Sequence, residues 1–400
     1  DINNDGFVEL VLDQGADYNT VGFYVFSHTG QYLWEASGSG TYIGGAGISD
    51  IDHDGTPEIL LANSVYDSVG NKKCTLEGNV YDWTAPFALD LTGLANDSII
   101  NRRGIWNYEV GNTTCPKLWS FQPIGWKAVA NLDNDTFPEI VSVSAGKINI
   151  YEHDGTVKKE FLIPVDPERD STLKIGSRGG PPTLSDFDGD GQVEIAVATS
   201  YYYFVFETDG TINWAHKTQD YTSGITGSSL FDFDGDGIAE VVYGDEQKMR
   251  IYSGPGGSSD SDNDGYKDAN ILYEYSVPSA TRVEYPVIVD VDGDGKAEIV
   301  VSANVWGGSG IGGEEGIYVF EDKLDNWMPT RKIWNQHAYY VTNVNENGSI
   351  PKNPQKNWEI PGLNNFRQNT KILTQIDYAA PDLITPFVDE KSHNCNVSVT

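Results

Sequence analysis

Six times along this chain an acidic loop runs straight into an apolar strand. The clearest copy is DFDGDGQVEIAVA, starting at Asp186. The others are DINNDGFVEL at Asp1, DIDHDGTPEIL at Asp50, NLDNDTFPEIV at Asn131, DFDGDGIAEVV at Asp232 and DVDGDGKAEIV at Asp290. They stand 46 to 58 residues apart, save for an interval of 81 between Asp50 and Asn131. A motif returning at this period means that one supersecondary unit is being repeated, and repeats of this length build solenoids or propellers.

The residues between copies identify the unit. VGFYVFSHTGQYLWEA, KINIYEHDGTVKKEF and YYYFVFETDGTINWAHK each read as strand, tight turn, strand, and KMRIYSG and GIYVFED are shorter relatives. A short strand rich in small residues comes before the acidic loop, as in GGPPTLSD and GITGSSLFD. Each repeat therefore supplies about four antiparallel strands. The 43 glycines and 12% aromatics suit many short strands and turns, and no long segment has helical periodicity. The expected fold is all-β: a β-propeller, most simply of seven blades of four antiparallel strands, with the acidic loops between blade strands. A linear β-solenoid is the alternative, though its repeats are usually shorter. Stacked blades bury each other's faces, and radial closure protects their edges.

Four carboxylates within nine positions repel one another unless a cation lies among them. In the loop, side chains at positions one, three, five and nine can turn toward one point. A glycine at position six permits the bend, and a carbonyl at position seven can add an oxygen. Such a flexible all-oxygen cage suits Ca²⁺, whereas Zn²⁺ would call for His or Cys. The expected ligands are Asp1, Asn3, Asp5 and Glu9; Asp50, Asp52, Asp54 and Glu58; Asn131, Asp133, Asp135 and Glu139; Asp186, Asp188, Asp190 and Glu194; Asp232, Asp234, Asp236 and Glu240; and Asp290, Asp292, Asp294 and Glu298. The Asn131 copy departs most, with Asn at position one and Thr136 in place of the glycine. A seventh loop, DSDNDGYKDA, offers Asp260, Asp262, Asp264 and Asp268 but lacks the following strand. It reads either as a separate calcium loop or as a polar excursion. About five to seven structural Ca²⁺ ions follow, with binding energy becoming folding energy. The bland alternative is a set of solvated acidic turns, since Asp, Asn and Gly favour turns anyway.

With these loops and strands in place, the chain resembles the FG-GAP repeat family, the propellers of integrin alpha subunits and many bacterial surface proteins. The resemblance covers roughly residues 1–330. It implies a propeller, usually seven-bladed, with calcium in the loops, and extracellular adhesion or recognition. Two departures are visible. Position nine is Glu where the family commonly has Asp, and the signature FG and GAP segments survive only as GGAG and GGPP. The calcium reading survives these departures, while any integrin-like ligand specificity does not. Only six loops lead into strands, so a seventh blade either lacks the motif, is built from the termini, or precedes Asp1. Completing the blade that Asp1 interrupts is expected to need a strand from the far end of the chain.

The remaining segments do not repeat. The 81-residue interval reads as an insertion holding Cys74 and Cys115, which either close a disulfide or remain free thiols; Cys395 is left over. That insertion is either a recognition element or a loop packed on its own blade. The propeller is expected to span 1–376, with a closing segment from about 325. Residues 377–400 read as a linker and the start of a truncated immunoglobulin-like module. Within the closing segment Trp334, His337, Tyr339, Tyr340, Trp358 and Arg367 are candidates to line a glycan or peptide site; wrapping and closing the ring is the simpler role.

Net charge is −33, from 59 acids against 26 bases, which excludes a phosphate-binding surface and hence nucleic acid. No apolar run is long enough to span a bilayer. Residue 1 falls inside a motif, so the chain is expected to be a piece of a longer, exported precursor. The leading expectation is an extracellular or cell-surface binding or adhesion module of a larger protein, with a protein or glycan ligand, or self-association. A structural subunit of a surface layer or filament is second. A polysaccharide lyase is third: only His337, near Arg331, Lys332 and Tyr339, offers a base beside cations, and no catalytic signature is present, so no catalytic residue is assigned.

Overall fold

The computed structural model describes residues 1–13, 21–38, 45–61, 63–78, 85–93, 96–133, 135–165, 179–280, 283–305 and 314–371. Its strands form seven sheets. The fourth, fifth and sixth are complete four-stranded meanders in chain order, for instance Thr183–Ser185, Glu194–Ala198, Tyr202–Phe206 and Ile212–Lys217. Innermost strands of successive sheets lie side by side, as Trp126–Ala130 does against Thr183–Ser185 and that strand against Ser228–Phe231. The protein is a seven-bladed β-propeller with almost no helix.

The one blade without a legible acidic loop is found within the 81-residue interval. Phe87–Leu89, Ser98–Ile100, Gly104–Asn107 and Lys117–Ser120 form the third blade, so the interval is a blade and not an insertion on one. Its acidic loop was not legible because Asp90 keeps position one while Ser98 stands where the glutamate belongs. Before Lys117, Thr114–Cys115 leaves this blade and pairs in parallel with Lys72–Leu76, the outer strand of the second. There Cys115 and Cys74, both buried, form a disulfide with Cα atoms 5.7 Å apart. The bridge therefore joins two blades.

Blades pack through aromatic side chains that lie over the hairpin glycine of the next blade. Trp34 covers Gly70, Trp119 covers Gly155, Phe161 covers Gly210 and Trp214 covers Gly256. A Cβ on Gly256 would come 2.4 Å from the Trp214 ring, so only glycine fits beneath it. The buried clusters follow the same logic. One unites the first and second blades, another the second and third, and others the fifth with the sixth and the sixth with the seventh.

The first blade has three described strands, Leu10–Asp13, Val21–Phe26 and Tyr32–Gly38, and no strand from the far end pairs with Leu10–Asp13 among the described residues. The seventh blade likewise has three, Val287–Val289, Glu298–Ala303 and Gly316–Phe320. The expected module at 377–400, the end of the closing segment and Cys395 lie outside the described residues.

Residues 321–371 form no strand; instead they run across the ring from blade to blade. Met328 N–H donates to Phe233 O, Asp290 N–H to Arg331 O, and Ile48 N–H to the Gln336 side chain. Tyr340 OH reaches Ala88 O in the third blade, and Asn364 exchanges two hydrogen bonds with Asn131 in the fourth. Phe366 bridges Leu184, Leu230 N–H donates to Arg367 O, and the Asp1 backbone nitrogen donates to Gly348 O. All seven blades are thus tied to one segment.

Candidate metal centre

Each loop is shaped by its own carboxylates. The position-nine glutamate comes back to accept the N–H of position two, at 2.9 Å for Ile2 to Glu9, 3.0 Å for Ile51 to Glu58 and 2.6 Å for Leu132 to Glu139. Phe187 to Glu194, Phe233 to Glu240 and Val291 to Glu298 repeat the bond at 2.6, 2.9 and 2.7 Å. The position-one aspartate accepts from the glycine at position six, as Asp50 does from Gly55 and Asp186 from Gly191. That glycine has φ near +90° in every such loop, from +90° at Gly191 to +98° at Gly55, which is left-handed backbone that side chains avoid. Positions three and five accept from the N–H two residues on, as in Asp190 to Asp188 at 3.1 Å and Gln192 to Asp190 at 2.8 Å. Turn formation therefore aims these acids around a common centre.

In the fifth blade the convergence is complete. One oxygen from each of Asp186, Asp188, Asp190 and Glu194 lies within 4.8 Å of the others. Glu194 Oε1 is buried and has no hydrogen-bond partner in the protein, a costly state for a carboxylate oxygen unless a cation takes it up. The donors are all oxygen, and the residues fit calcium better than zinc. Asp50, Asp52 and Glu58 converge likewise, as do Asp232, Asp234 and Asp236.

Electrostatics favour a positive charge among these acids. Burial, with neighbouring aspartates adding to it, pushes Glu58 and Glu194 up to about 8, Glu240 to about 9, and Glu139 and Glu298 to about 7. Without a cation Glu58, Glu194 and Glu240 would hold protons near neutrality.

The Asp260 loop adopts the same turn despite lacking a following strand. Asp268 accepts Ser261 N–H at 2.8 Å and Asp260 accepts Gly265 N–H at 3.0 Å. The loop interrupts the outer hairpin of the sixth blade and leans on the fifth, where Ala215 bridges Asp268 and Lys217 pairs with Asp262 at 2.6 Å. In the first blade Asn3 uses its amide to donate to Glu9 at 3.0 Å, and Asp1, Asp5 and Glu9 complete the loop. Asp292 and Asp294 of the seventh blade, and Asp54 and Asp135 of the second and fourth, take their turn positions as in the fifth.

The aromatic candidates of the closing segment are engaged inside the molecule. Tyr339, Tyr340 and Arg367 are buried. Tyr339 OH donates to Asn369 and accepts from Arg331, and the Arg367 guanidinium donates to Pro182 O. Trp334 stacks on Tyr339 at 4.3 Å and donates to Tyr285 OH, while Trp358 packs on the large core cluster of the third to fifth blades. His337 meets the Tyr285 ring at 4.9 Å, and burial beside the Arg367 charge holds it down to about 3. These side chains join the closing segment to the ring.

Fold and loops together define a seven-bladed propeller in which six blades carry an acidic turn leading into a strand. Residues 186–243 and 232–301 match the family model of the FG-GAP-like repeat. Among solved structures it is similar to the V. cholerae biofilm matrix protein Bap1, at 21% identity and a TM-score of 0.72, covering 93% of this chain and 84% of that one. Weaker likenesses are to BBS1N in complex with ARL6DN (10% identity, TM-score 0.45, 75% and 84% covered) and to the exotype rhamnogalacturonan lyase YesX (17%, 0.35, 80% and 54%). No curated protein matches the sequence.

Proposed function

We propose that the protein is a calcium-stabilised extracellular β-propeller serving as a binding or adhesion module of a larger surface or secreted protein. The observation that carries the calcium is the fifth-blade set, four acids converging on one point with a buried Glu194 oxygen left over. The Cys74–Cys115 bridge supports an oxidising compartment, and the likeness to a matrix protein supports an extracellular setting. Among the described residues no helix is long and apolar enough to cross a membrane. A low-lying His337 inside the structure favours a non-enzymatic role, since a general base must reach its substrate.

Calcium acts here by binding the folded loops and not the unfolded chain, adding about 2.7 kcal/mol per site at a hundred times Kd. Chelation is expected to lower the melting temperature by well over ten degrees, and millimolar calcium to restore it. An unchanged melt, with the metal shown to have left, would falsify the reading. Glycan-array and pull-down binding by the calcium-loaded protein test the adhesive role.

Self-association in a layer or filament is the second reading. It is favoured by apolar residues exposed on the two three-stranded blades: Leu10 and Leu12 on the first, Ile317 and Val319 on the seventh. Sedimentation that shifts with calcium would support it; a monomer at all concentrations would not.

A further inference from the structure

The loop of the fourth blade departs from the other five in a coordinated way. It has Asn131 in place of an aspartate and Thr136 in place of the glycine, so three acids remain where the fifth blade has four. Asn131 also turns its amide to donate to Asp135 O at 2.7 Å. A loop that has merely decayed would need nothing further. This one holds a lysine among its acids.

Lys158 lies on the outer strand of the same blade, Val157–Leu162. Its ε-ammonium pairs with Asp133, with Glu139 Oε1 at 2.9 Å and with Glu152 Oε1 at 3.0 Å. Oxygens of those same three acids lie within 4.8 Å of one another, so the ammonium sits among the donors that a metal ion would use. Glu139 is buried, and a charge-assisted bond there is stronger than its surface equivalent.

Strand register gives the corresponding residue elsewhere. Tyr151 pairs with Val157 just past a bulge, and Phe206 pairs with Ile212 in the same way, so Lys158 corresponds to Asn213. Asn213 amide nitrogen stands 3.2 Å from both Asp188 and Glu207 and brings no charge. The second blade carries Lys73 at this position, 3.5 Å from Glu58 and 3.8 Å from Asp52. There the lysine stands at the edge of the set, and the position-one aspartate is kept.

We propose that the ε-ammonium of Lys158 is the resident cation of the fourth-blade loop, which therefore takes no calcium, whereas the fifth-blade loop, with Asn213 in that place, takes one. The inference rests on the calcium reading for the other loops. It makes cation choice depend on an outer-strand residue across the blade from the loop, together with the residue at position one.

Equilibrium dialysis of the full chain against calcium chloride, with the bound ion counted by atomic emission, tests it. Lys158→Asn is expected to bind one more calcium per chain than the unsubstituted protein; an equal count overturns the proposal. Should that variant not fold by circular dichroism, Asn213→Lys decides: one ion fewer supports the proposal, and an equal count overturns it. An unsubstituted chain that binds no calcium defeats the wider calcium reading and, with it, the fifth-blade half of the proposal. In that case Lys158→Asn still decides, since uptake of one ion against none supports the lysine's role and uptake of none overturns it.

Discussion

The third strands of the fifth and seventh blades are nearly the same word: YYFVF at Tyr202–Phe206 and GIYVF at Gly316–Phe320. Both pair with the strand that follows an acidic loop, and in the same register, so Val205 corresponds to Val319. Yet every residue of the first is buried, whereas in the second Ile317 is 73% exposed and Val319 50%. Local sequence makes both of them strands. Burial comes from the neighbour: the fifth blade lies between two complete blades, and the seventh has only the sixth packed fully against it among the described residues.

The largest effect should come from the aromatic latch between complete blades. Trp214 is fully buried, covers Gly256 and donates to Gly254 O at 2.7 Å. Trp214→Ala should cost about 3–5 kcal/mol, as large aromatic truncations in cores do. Trp34 takes the same register position in the first blade and donates to Ser68 O, but it is only partly buried. Trp34→Ala should cost clearly less in a urea melt. Equal costs would mean that the first blade is as tightly held as the fifth.

Next comes pH. Glu194 and Glu240 ionise at about 8 and about 9 in the folded chain, against 4.5 ordinarily, because they are buried. Between those limits the folded chain holds protons that the unfolded chain has released, so stability falls as pH rises. In chelator the melting temperature should decline from pH 5 to pH 9. Calcium must displace those protons, so its affinity should increase over the same range. A melt in chelator that improves with pH would contradict the burial of these glutamates.

Much of this architecture is legible in the residues, for identifiable reasons. The loop is a local object: acids at fixed offsets bond to backbone N–H groups two to seven residues away, so its geometry follows from the motif itself. The third blade is not legible because its loop keeps Asp90 but has Ser98 in place of the glutamate, and DLTGLANDS lacks acids at positions three and five. The Trp-over-glycine latch joins residues in different repeats, such as Trp214 and Gly256, and only the packing of neighbouring blades brings them together. A signal was present, however, in the aromatic that recurs shortly after the hairpin glycine. Lys158 was hidden in the same way, since it meets Asp133 only across two intervening strands. The closing segment has no periodicity because it follows the inner rim of a ring and not a sheet.

The smallest effects sharpen the opening contrast most directly. Val205→Ala removes two buried methyl groups between packed blades and should cost about 2 kcal/mol or more, from lost burial and the cavity left behind. Val319→Ala removes the same groups from a half-exposed face and should cost roughly 0.5 kcal/mol. Chemistry, strand position and register are matched, so the difference measures what a neighbouring blade contributes. If Val319→Ala costs as much as Val205→Ala, the seventh blade is covered in solution. Its exposed face would then be an interface, and the comparison should next be repeated at protein concentrations below the dissociation of any assembly.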